Sequence, residues 1–301
     1  MALRNTEQRH KASEAIDTLP PEAALMAMCD VQIAAACAVR RAIPQIAEAA
    51  ETVARCLKAG GRLVYAGAGS SGLMAMADAL EISGTFGIAR ERILILLSEG
   101  LTTIADFAAE TEDDSRRGAD DVRALALTEA DCLIVVSASG ATPYAVAALR
   151  AAKETSAKTI AIANNPDTPL LALAGIAIQL DTPPEIIAGS TRMGAGTAQK
   201  IALNMISTQA GILLGHIHDG YMVNVRVDNA KLKDRARRMV SAITGCDERT
   251  AHDTFARSGG STKIAILLAS GAGSPEAARA ILAQSGDALR PALQNLAAYQ
   301  R

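Results

Sequence analysis

Short apolar runs alternate along this chain with longer stretches in which apolar residues recur at helical spacing. The runs lie at residues 62–66, 93–97, 132–136, 159–163 and 176–180. Such alternation is typical of parallel strands joined by crossover helices. The sequence therefore predicts an α/β fold, a three-layer sandwich around a five-stranded parallel sheet.

Helical patterns stand on both sides of these runs in the chain. Two alanine-rich patterns come before the first run, and a long apolar helix to about Leu214 follows the last one. From Asp228 the chain is more charged, with helical patterns at 228–244 and 247–257, a strand-like run at 263–268 and a capped helix from Ser274. We predict N-terminal helices in residues 1–50, the sheet domain in 51–225 and a small, mainly helical domain in 226–301.

The first run leads directly into a glycine loop and a helix. Gly69 lets the backbone turn sharply, and Ser70 and Ser71 stand where the helix begins. The unpaired amides and the dipole of a helix start favour an anion such as phosphate. Taken alone, this loop is most simply a tight turn that serves only packing. Its spacing is not that of a dinucleotide site.

A second loop of the same kind follows the third run. Ser137, Ser139 and Thr142 surround Gly140, and Pro143 suits the first turn of the next helix. Phosphate binding explains this density of hydroxyl groups better than turn formation alone. Because ligands gather at the carboxyl ends of parallel strands, both loops are expected to face one phosphorylated ligand.

A third loop, residues 185–200, precedes the long apolar helix. It is rich in glycine and hydroxyl groups, begins with Glu185, contains Ser190 and has Arg192 as its strong cation. Arg192 suits either an anionic group of a ligand or a tie to a carboxylate within the protein. Residues 1–20 are polar and irregular, and their simplest interpretation is a tail.

Composition excludes several classes of function. The net charge is −2, aromatic residues make up 2% and there is no tryptophan, so no nucleic-acid partner is expected. The five cysteines indicate small core residues in a reducing compartment rather than a disulfide framework. His216 and His218 have no third ligand nearby in sequence, so we expect surface positions for them and neither a metal nor another cofactor. Without a signal region or a long apolar span, we expect a cytoplasmic protein and no membrane partner.

The three loops, GAGSSG, SASGATP and EIIAGSTRMGAGTAQK, together resemble the sugar isomerase (SIS) fold. The third loop, continued by residues 204–208, resembles in particular the N-acetylmuramic acid 6-phosphate etherases. This resemblance covers most of the chain. It implies a 6-phosphorylated amino sugar as the small-molecule partner and cleavage of the D-lactyl ether at its C3, giving N-acetylglucosamine 6-phosphate and D-lactate.

The resemblance also implies two acid-base residues. Elimination needs a base at C2 and an acid at the ether oxygen, and two carboxyl groups suffice. One family glutamate matches Glu81. The other matches Asp113, and Glu112 beside it is the rival candidate. The implied substrate-binding residues are Gly69, Ser70, Ser71, Ser137, Ser139, Gly140, Thr142, Glu185, Ser190 and Arg192.

Two other functions compete with the etherase. An aldose–ketose isomerase of this fold would need a glutamate on the helix after the third loop, and residues 186–218 contain neither Asp nor Glu. A sugar-phosphate sensor without catalysis, resembling the regulatory relatives of the etherases, is the second alternative. It would bind the ligand without releasing lactate.

A length argument predicts a homodimer. A helix from Ser71 to Glu81 rises about 15 Å, which is longer than a bound hexose phosphate. Either the second loop holds the phosphate, or Glu81 serves a site on a neighbouring subunit. The apolar helices at 22–41 and 197–214 also offer more hydrophobic area than a monomer exposes comfortably.

Overall fold

The computed structural model describes residues 4–100 and 109–299. Its sheet has the strand order β2-β1-β3-β4-β5, with every neighbouring pair parallel. The strands are β1 (Leu63–Gly67), β2 (Ile93–Leu97), β3 (Cys132–Ser137), β4 (Lys158–Ala163) and β5 (Ile176–Gln179). This confirms the predicted α/β class and the five-stranded parallel sheet.

Helices before, between and after the strands cover both faces of the sheet. They are α1 (Pro21–Ala38), α2 (Ile43–Lys58), α3 (Gly69–Phe86), α4 (Ser115–Ala124), α5 (Pro143–Lys153), α6 (Pro169–Leu173) and α7 (Gly194–Leu213). Val64 and Leu133 lie in one core cluster with Ala148 of α5, while the neighbouring Tyr65 donates a hydrogen bond to Asp78 of α3. Successive strand residues point to opposite faces, so burial on both sides makes three layers.

Helices α8 to α12 form the C-terminal part of the chain. They are α8 (Ala230–Thr244), α9 (Glu248–Arg257), α10 (Thr262–Ala269), α11 (Pro275–Gln284) and α12 (Leu289–Tyr299). The predicted cap at Ser274 is confirmed, since its hydroxyl accepts from the amide of Ala277. Gly245 ends α8 at φ 73°.

The predicted strand at 263–268 is wrong, because these residues form the buried helix α10. An apolar run without periodicity fits a buried helix as well as a strand. Here the Ser261 hydroxyl accepts from the amide of Ile264 and starts the helix. The ammonium of Lys263 is buried and donates to the carbonyl and carboxylate of Asp287.

Two compact units are present, Met1–Leu80 with Arg90–Gln209, and Glu81–Ala89 with Ala210–Arg301. The first contains the sheet and a core cluster that includes Leu133, Val135 and Leu149. The second has its own cluster around α10 and includes Met239 and Phe255. The predicted boundary between the sheet domain and the helical C-terminal domain, at residues 225 and 226, stays a prediction.

Two expectations about single residue types need correction. Cys29 and Cys37 are exposed rather than in the core, while Cys56 and Cys132 are buried as expected. His218 is buried, and burial, followed by the charge of Lys263, lowers the pKa of His216 to about 4. The two histidines, which follow the end of α7 at Leu213, are therefore at least partly buried rather than at the surface of their unit.

One helical stretch, Pro21–Lys58, is long and apolar enough to cross a membrane by length and composition alone, and 17% of its most apolar window is buried. Core helices pass the same test, so this is weak evidence of a span. The absence of a membrane partner stays a prediction.

Candidate functional site

The loop after β3 gathers the hydroxyl groups that the sequence singled out. The Ser137 hydroxyl lies 2.8 Å from that of Thr142, and the Ser139 hydroxyl lies 3.4 Å from both. Gly140 has φ 64°, and a Cβ there would overlap the side chain of Thr168. The chain therefore needs glycine at this point to turn the three hydroxyls together at the start of α5.

The loop after β1 is tied to the loop after β3. The amide of Ala138 donates to the hydroxyl of Ser71 at 3.2 Å, and Ser71 is buried. Ser70 lies beside it in the first turn of α3 and is more exposed. The two loops therefore meet at the carboxyl edge of the sheet, where α/β folds bind ligands.

The helix start in the first loop already has an anionic partner within the protein. The amide of Gly69 donates to a carboxylate oxygen of Glu99 at 2.9 Å. Glu99 lies two residues after the end of β2 and is only 8% exposed. The position where the sequence predicted a bound phosphate is occupied at Gly69 by a carboxylate of the chain itself.

Glu112 also lies against this glycine. It belongs to the short 3-10 helix Ala109–Asp113, and a Cβ on Gly69 would overlap its carboxylate. Burial raises the pKa of Glu112, and the charges of Glu99 and Asp113 raise it further. Asp113 itself is exposed. The structure thus brings Glu112 to the first loop. It also brings Glu99 there, an acid that the sequence did not single out.

The third loop is positioned by the carboxylate of Glu185. Its two oxygens accept from the amides of Gly194 and Ala195, at 2.9 and 2.8 Å, and the side chain is 1% exposed. Glu185 therefore caps α7. In the same loop Ser190 is half-buried and Arg192 is exposed.

The N-terminal segment takes part in this site, which corrects its interpretation as a tail. Thr6 is buried, its carbonyl accepts from Gly189 of the third loop at 2.9 Å, and its hydroxyl accepts from the side chain of Asn165 at 3.1 Å. Asn165 donates in turn to the carbonyl of Ala138 at 2.9 Å. The segment joins the second and third loops through contacts with residues more than 150 positions away, which local sequence patterns do not reveal.

The helix after the first loop is anchored by a buried carboxylate. Asp78 accepts from the hydroxyls of Tyr65 and Ser207 and from the amide of Asn204. Burial raises the pKa of Tyr65, and the charge of Asp78 raises it further. Asp78 fixes α3 to β1 and α7. Glu81, three residues later, is exposed and belongs to the second unit.

Glu99, Thr6, Asn165 and Asp78 were missed by sequence reasoning. Glu99 carried a usable signal, because it lies two residues after a predicted parallel strand, at the edge where ligands bind. Within residues 4–100 and 109–299, no group of three or more His, Cys, Asp or Glu side chains is arranged to hold a metal ion.

The chain is similar to proteins of known family and known structure. The SIS domain family matches residues 33–164. A phosphoheptose isomerase of known structure from Francisella tularensis gives a TM-score of 0.49 at 23% identity, covering 65% of this chain and 98% of its own.

Two curated relatives are matched along almost their full length. The N-acetylmuramic acid 6-phosphate etherase of Deinococcus radiodurans is 44% identical over 286 residues, which is 95% of this chain and 94% of the relative. That of Mycolicibacterium smegmatis is 40% identical over 288 residues, which is 95% and 97%. The chain therefore belongs to the N-acetylmuramic acid 6-phosphate etherase family.

Proposed function

We infer that this chain is an N-acetylmuramic acid 6-phosphate etherase, a carbon–oxygen lyase of amino-sugar metabolism. It cleaves the D-lactyl ether of its substrate and yields N-acetylglucosamine 6-phosphate and D-lactate. The identity of 44% over 95% of the chain to a relative of that name carries this inference. The hydroxyl cluster after β3 supports it, since it suits a phosphorylated sugar.

The second loop is the proposed phosphate site. Ser137, Ser139 and Thr142 present three hydroxyls at the start of α5, an eleven-residue helix. Its unpaired amides and dipole favour a doubly charged phosphate. Gly69 already donates to Glu99, so the sugar would extend from the second loop toward the first. Ser70, Ser190 and Arg192 remain proposed contacts with the rest of the ligand.

The proposed chemistry is elimination followed by hydration. In the open-chain form, the carbonyl at C1 acidifies the proton on C2, and a base removes it while an acid protonates the departing lactyl oxygen. Water then adds to the double bond with these roles reversed. Glu81 is one of the two proposed acid-base residues, and Asp113 or Glu112 is the other. No metal or organic cofactor enters this scheme.

A direct assay tests the proposal. The purified protein is incubated with N-acetylmuramic acid 6-phosphate, and D-lactate is measured enzymatically alongside N-acetylglucosamine 6-phosphate. Equal amounts of the two products are expected, and the unphosphorylated sugar serves as the matched control. Thermal stabilisation by the substrate without any D-lactate would instead identify a sugar-phosphate sensor.

We also propose that the enzyme works as a cytoplasmic homodimer. Leu25, Met26 and Ile33 of α1 are 64%, 59% and 56% exposed, and a second copy of the chain would cover them. The five cysteines are free, which suits a reducing compartment. Sedimentation tests the dimer, and an active monomer would contradict it.

Mixed subunits test whether residues of two chains complete each site. When a Glu81→Gln subunit pairs with a Ser139→Ala subunit, a shared arrangement leaves one of two sites intact and restores activity. If each site uses one chain alone, the mixture stays as inactive as the separate variants.

A further inference from the structure

The N-terminal segment of the chain is docked on the third loop. It contains two short 3-10 helices, Asn5–Glu7 and Lys11–Ser13, and we call residues 5–13 the N-terminal strap. Thr6, in the first of these helices, is only 3% exposed. A polar side chain is buried so completely where its hydrogen bonds are made within the protein. The strap is therefore held by specific contacts.

Each polar group of Thr6 has a partner. Its amide donates to the side-chain oxygen of Asn165 at 3.3 Å, and its hydroxyl accepts from the nitrogen of the same side chain at 3.1 Å. The hydroxyl also donates to the carboxylate of Glu7 at 3.4 Å. The carbonyl of Thr6 accepts from the amide of Gly189 at 2.9 Å. Thr6 therefore joins Asn165 to Gly189.

The two partners of Thr6 belong to different sides of the proposed sugar site. Asn165 lies two residues after β4, is 1% exposed and donates to the carbonyl of Ala138 in the second loop at 2.9 Å. Gly189 directly precedes Ser190 in the third loop. Thr6 therefore sets the position of Ser190, a proposed sugar contact, relative to the loop that is proposed to hold the phosphate.

The strap has a second anchor on the third loop. The hydroxyl of Ser13 donates to the carbonyl of Ile186 at 2.6 Å. At the other end of this loop, Glu185 binds the amides that start α7. Ser13 thus fixes the beginning of the loop, Thr6 its middle and Glu185 its end. Since these bonds tie the loop to other parts of the chain, they reduce the freedom that a ligand would otherwise have to remove.

We propose that the N-terminal strap is a positioning element of the sugar site and that Thr6 is its positioning residue, which fixes the third loop for contact with the sugar. This role rests on the proposed etherase function, which names the sugar. Thr6 is buried and acts through Asn165 and Gly189 rather than on the ligand itself. The second loop holds the phosphate with its own hydroxyls, so loss of the Thr6 contact weakens recognition of the sugar more than recognition of phosphate.

Three variants test this role by steady-state kinetics. Thr6→Val keeps the branched shape but leaves a buried N–H of Asn165 without its acceptor, and should raise KM for N-acetylmuramic acid 6-phosphate about 5–50-fold while changing kcat less than about threefold. Thr6→Ser keeps the hydroxyl and should restore KM to within about threefold of wild type. Thr18→Val is the matched control, because the exposed Thr18 donates only to the nearby carbonyl of Ala15. An unchanged KM in Thr6→Val, or a Thr6→Ser variant as impaired as Thr6→Val, would overturn the role.

Binding measurements test the same role without turnover. Affinities for N-acetylglucosamine 6-phosphate and for inorganic phosphate are compared by calorimetry in the ligand-free protein. Thr6→Val should weaken the sugar phosphate about 5–50-fold and inorganic phosphate less than about threefold. Ser13→Ala, at the half-buried second anchor, should show the same selectivity and serves as the test if Thr6→Val does not fold. Equal losses for both probes, or no loss for either, would contradict the role of the strap. A wild-type protein that binds the sugar phosphate but releases no D-lactate removes the etherase function and leaves this comparison intact.

Discussion

The first and second loops look alike in sequence but differ in how their helix starts are used. Each follows a buried strand, each contains glycine and serine, and each opens a helix. In the second loop, the hydroxyls of Ser137, Ser139 and Thr142 cluster at the start of α5. In the first, the Gly69 amide is bound to Glu99. A glycine loop before a helix is therefore a place for an anion, and the protein itself can supply that anion.

The largest expected contrast is in stability, between alanine variants of the two loop glycines Gly140 and Gly69, which both have positive φ. Gly140→Ala places a methyl group against the Thr168 side chain in a strained backbone, and should cost about 2–4 kcal/mol of unfolding free energy. Gly69→Ala meets only the flexible end of Glu112, so it should cost less stability but lower activity by displacing that carboxyl. Chemical denaturation measures both.

Gly84→Ala is the matched control for these two variants, because a Cβ there meets nothing within 4 Å. As a change within the helix α3, it should stabilise the protein slightly. Equal losses at Gly140 and Gly69 would contradict the difference between the loops.

The next largest effect is a loss of stability at Asp78, which anchors α3 behind the first loop. Asp78→Asn turns an acceptor of three hydrogen bonds into a group with a donor that faces other donors, and should cost about 1.5–3 kcal/mol. Urea unfolding measures the change against Asp120→Asn on the exposed side of α4. If the two variants unfold alike, Asp78 does not hold the helix.

Ligand affinity distinguishes the loops directly. Ser139→Ala should weaken binding of N-acetylglucosamine 6-phosphate by about 1–3 kcal/mol, as expected when a charge-assisted hydrogen bond is lost. Ser70→Ala should weaken it less, because the first helix start already holds Glu99. Calorimetry measures both affinities. A larger loss for Ser70→Ala would place the phosphate on the first loop.

The smallest effect is a pH dependence of stability at Glu112. Its folded pKa is raised by burial and by neighbouring charge, so ionisation in the folded state is penalised once the pH exceeds the unfolded pKa. Glu112→Gln should leave stability unchanged below that value and increase it slightly at neutral pH. A loss of stability at neutral pH would show that the ionised carboxylate is favoured instead.

Sequence reasoning succeeded where a property is local and failed where it depends on distant contacts. The apolar runs predicted all five strands, because the inner strands β1, β3 and β4 are buried along almost their whole length and the edge strands β2 and β5 are also mainly apolar. The run in α10 has the same appearance and is a helix. Glu99 and Gly69 are 30 positions apart, and Thr6 and Asn165 are 159 apart. Only the fold brings such pairs together.

Hydrolysis in ¹⁸O-labelled water tests the etherase most directly, because elimination and hydration fix which bond breaks. The account predicts one D-lactate for each N-acetylglucosamine 6-phosphate, with the label in the C3 hydroxyl of the sugar and none in the lactate. Mass spectrometry of both products locates the oxygen. Label in the lactate hydroxyl, or sugar binding without release of lactate, would contradict the account.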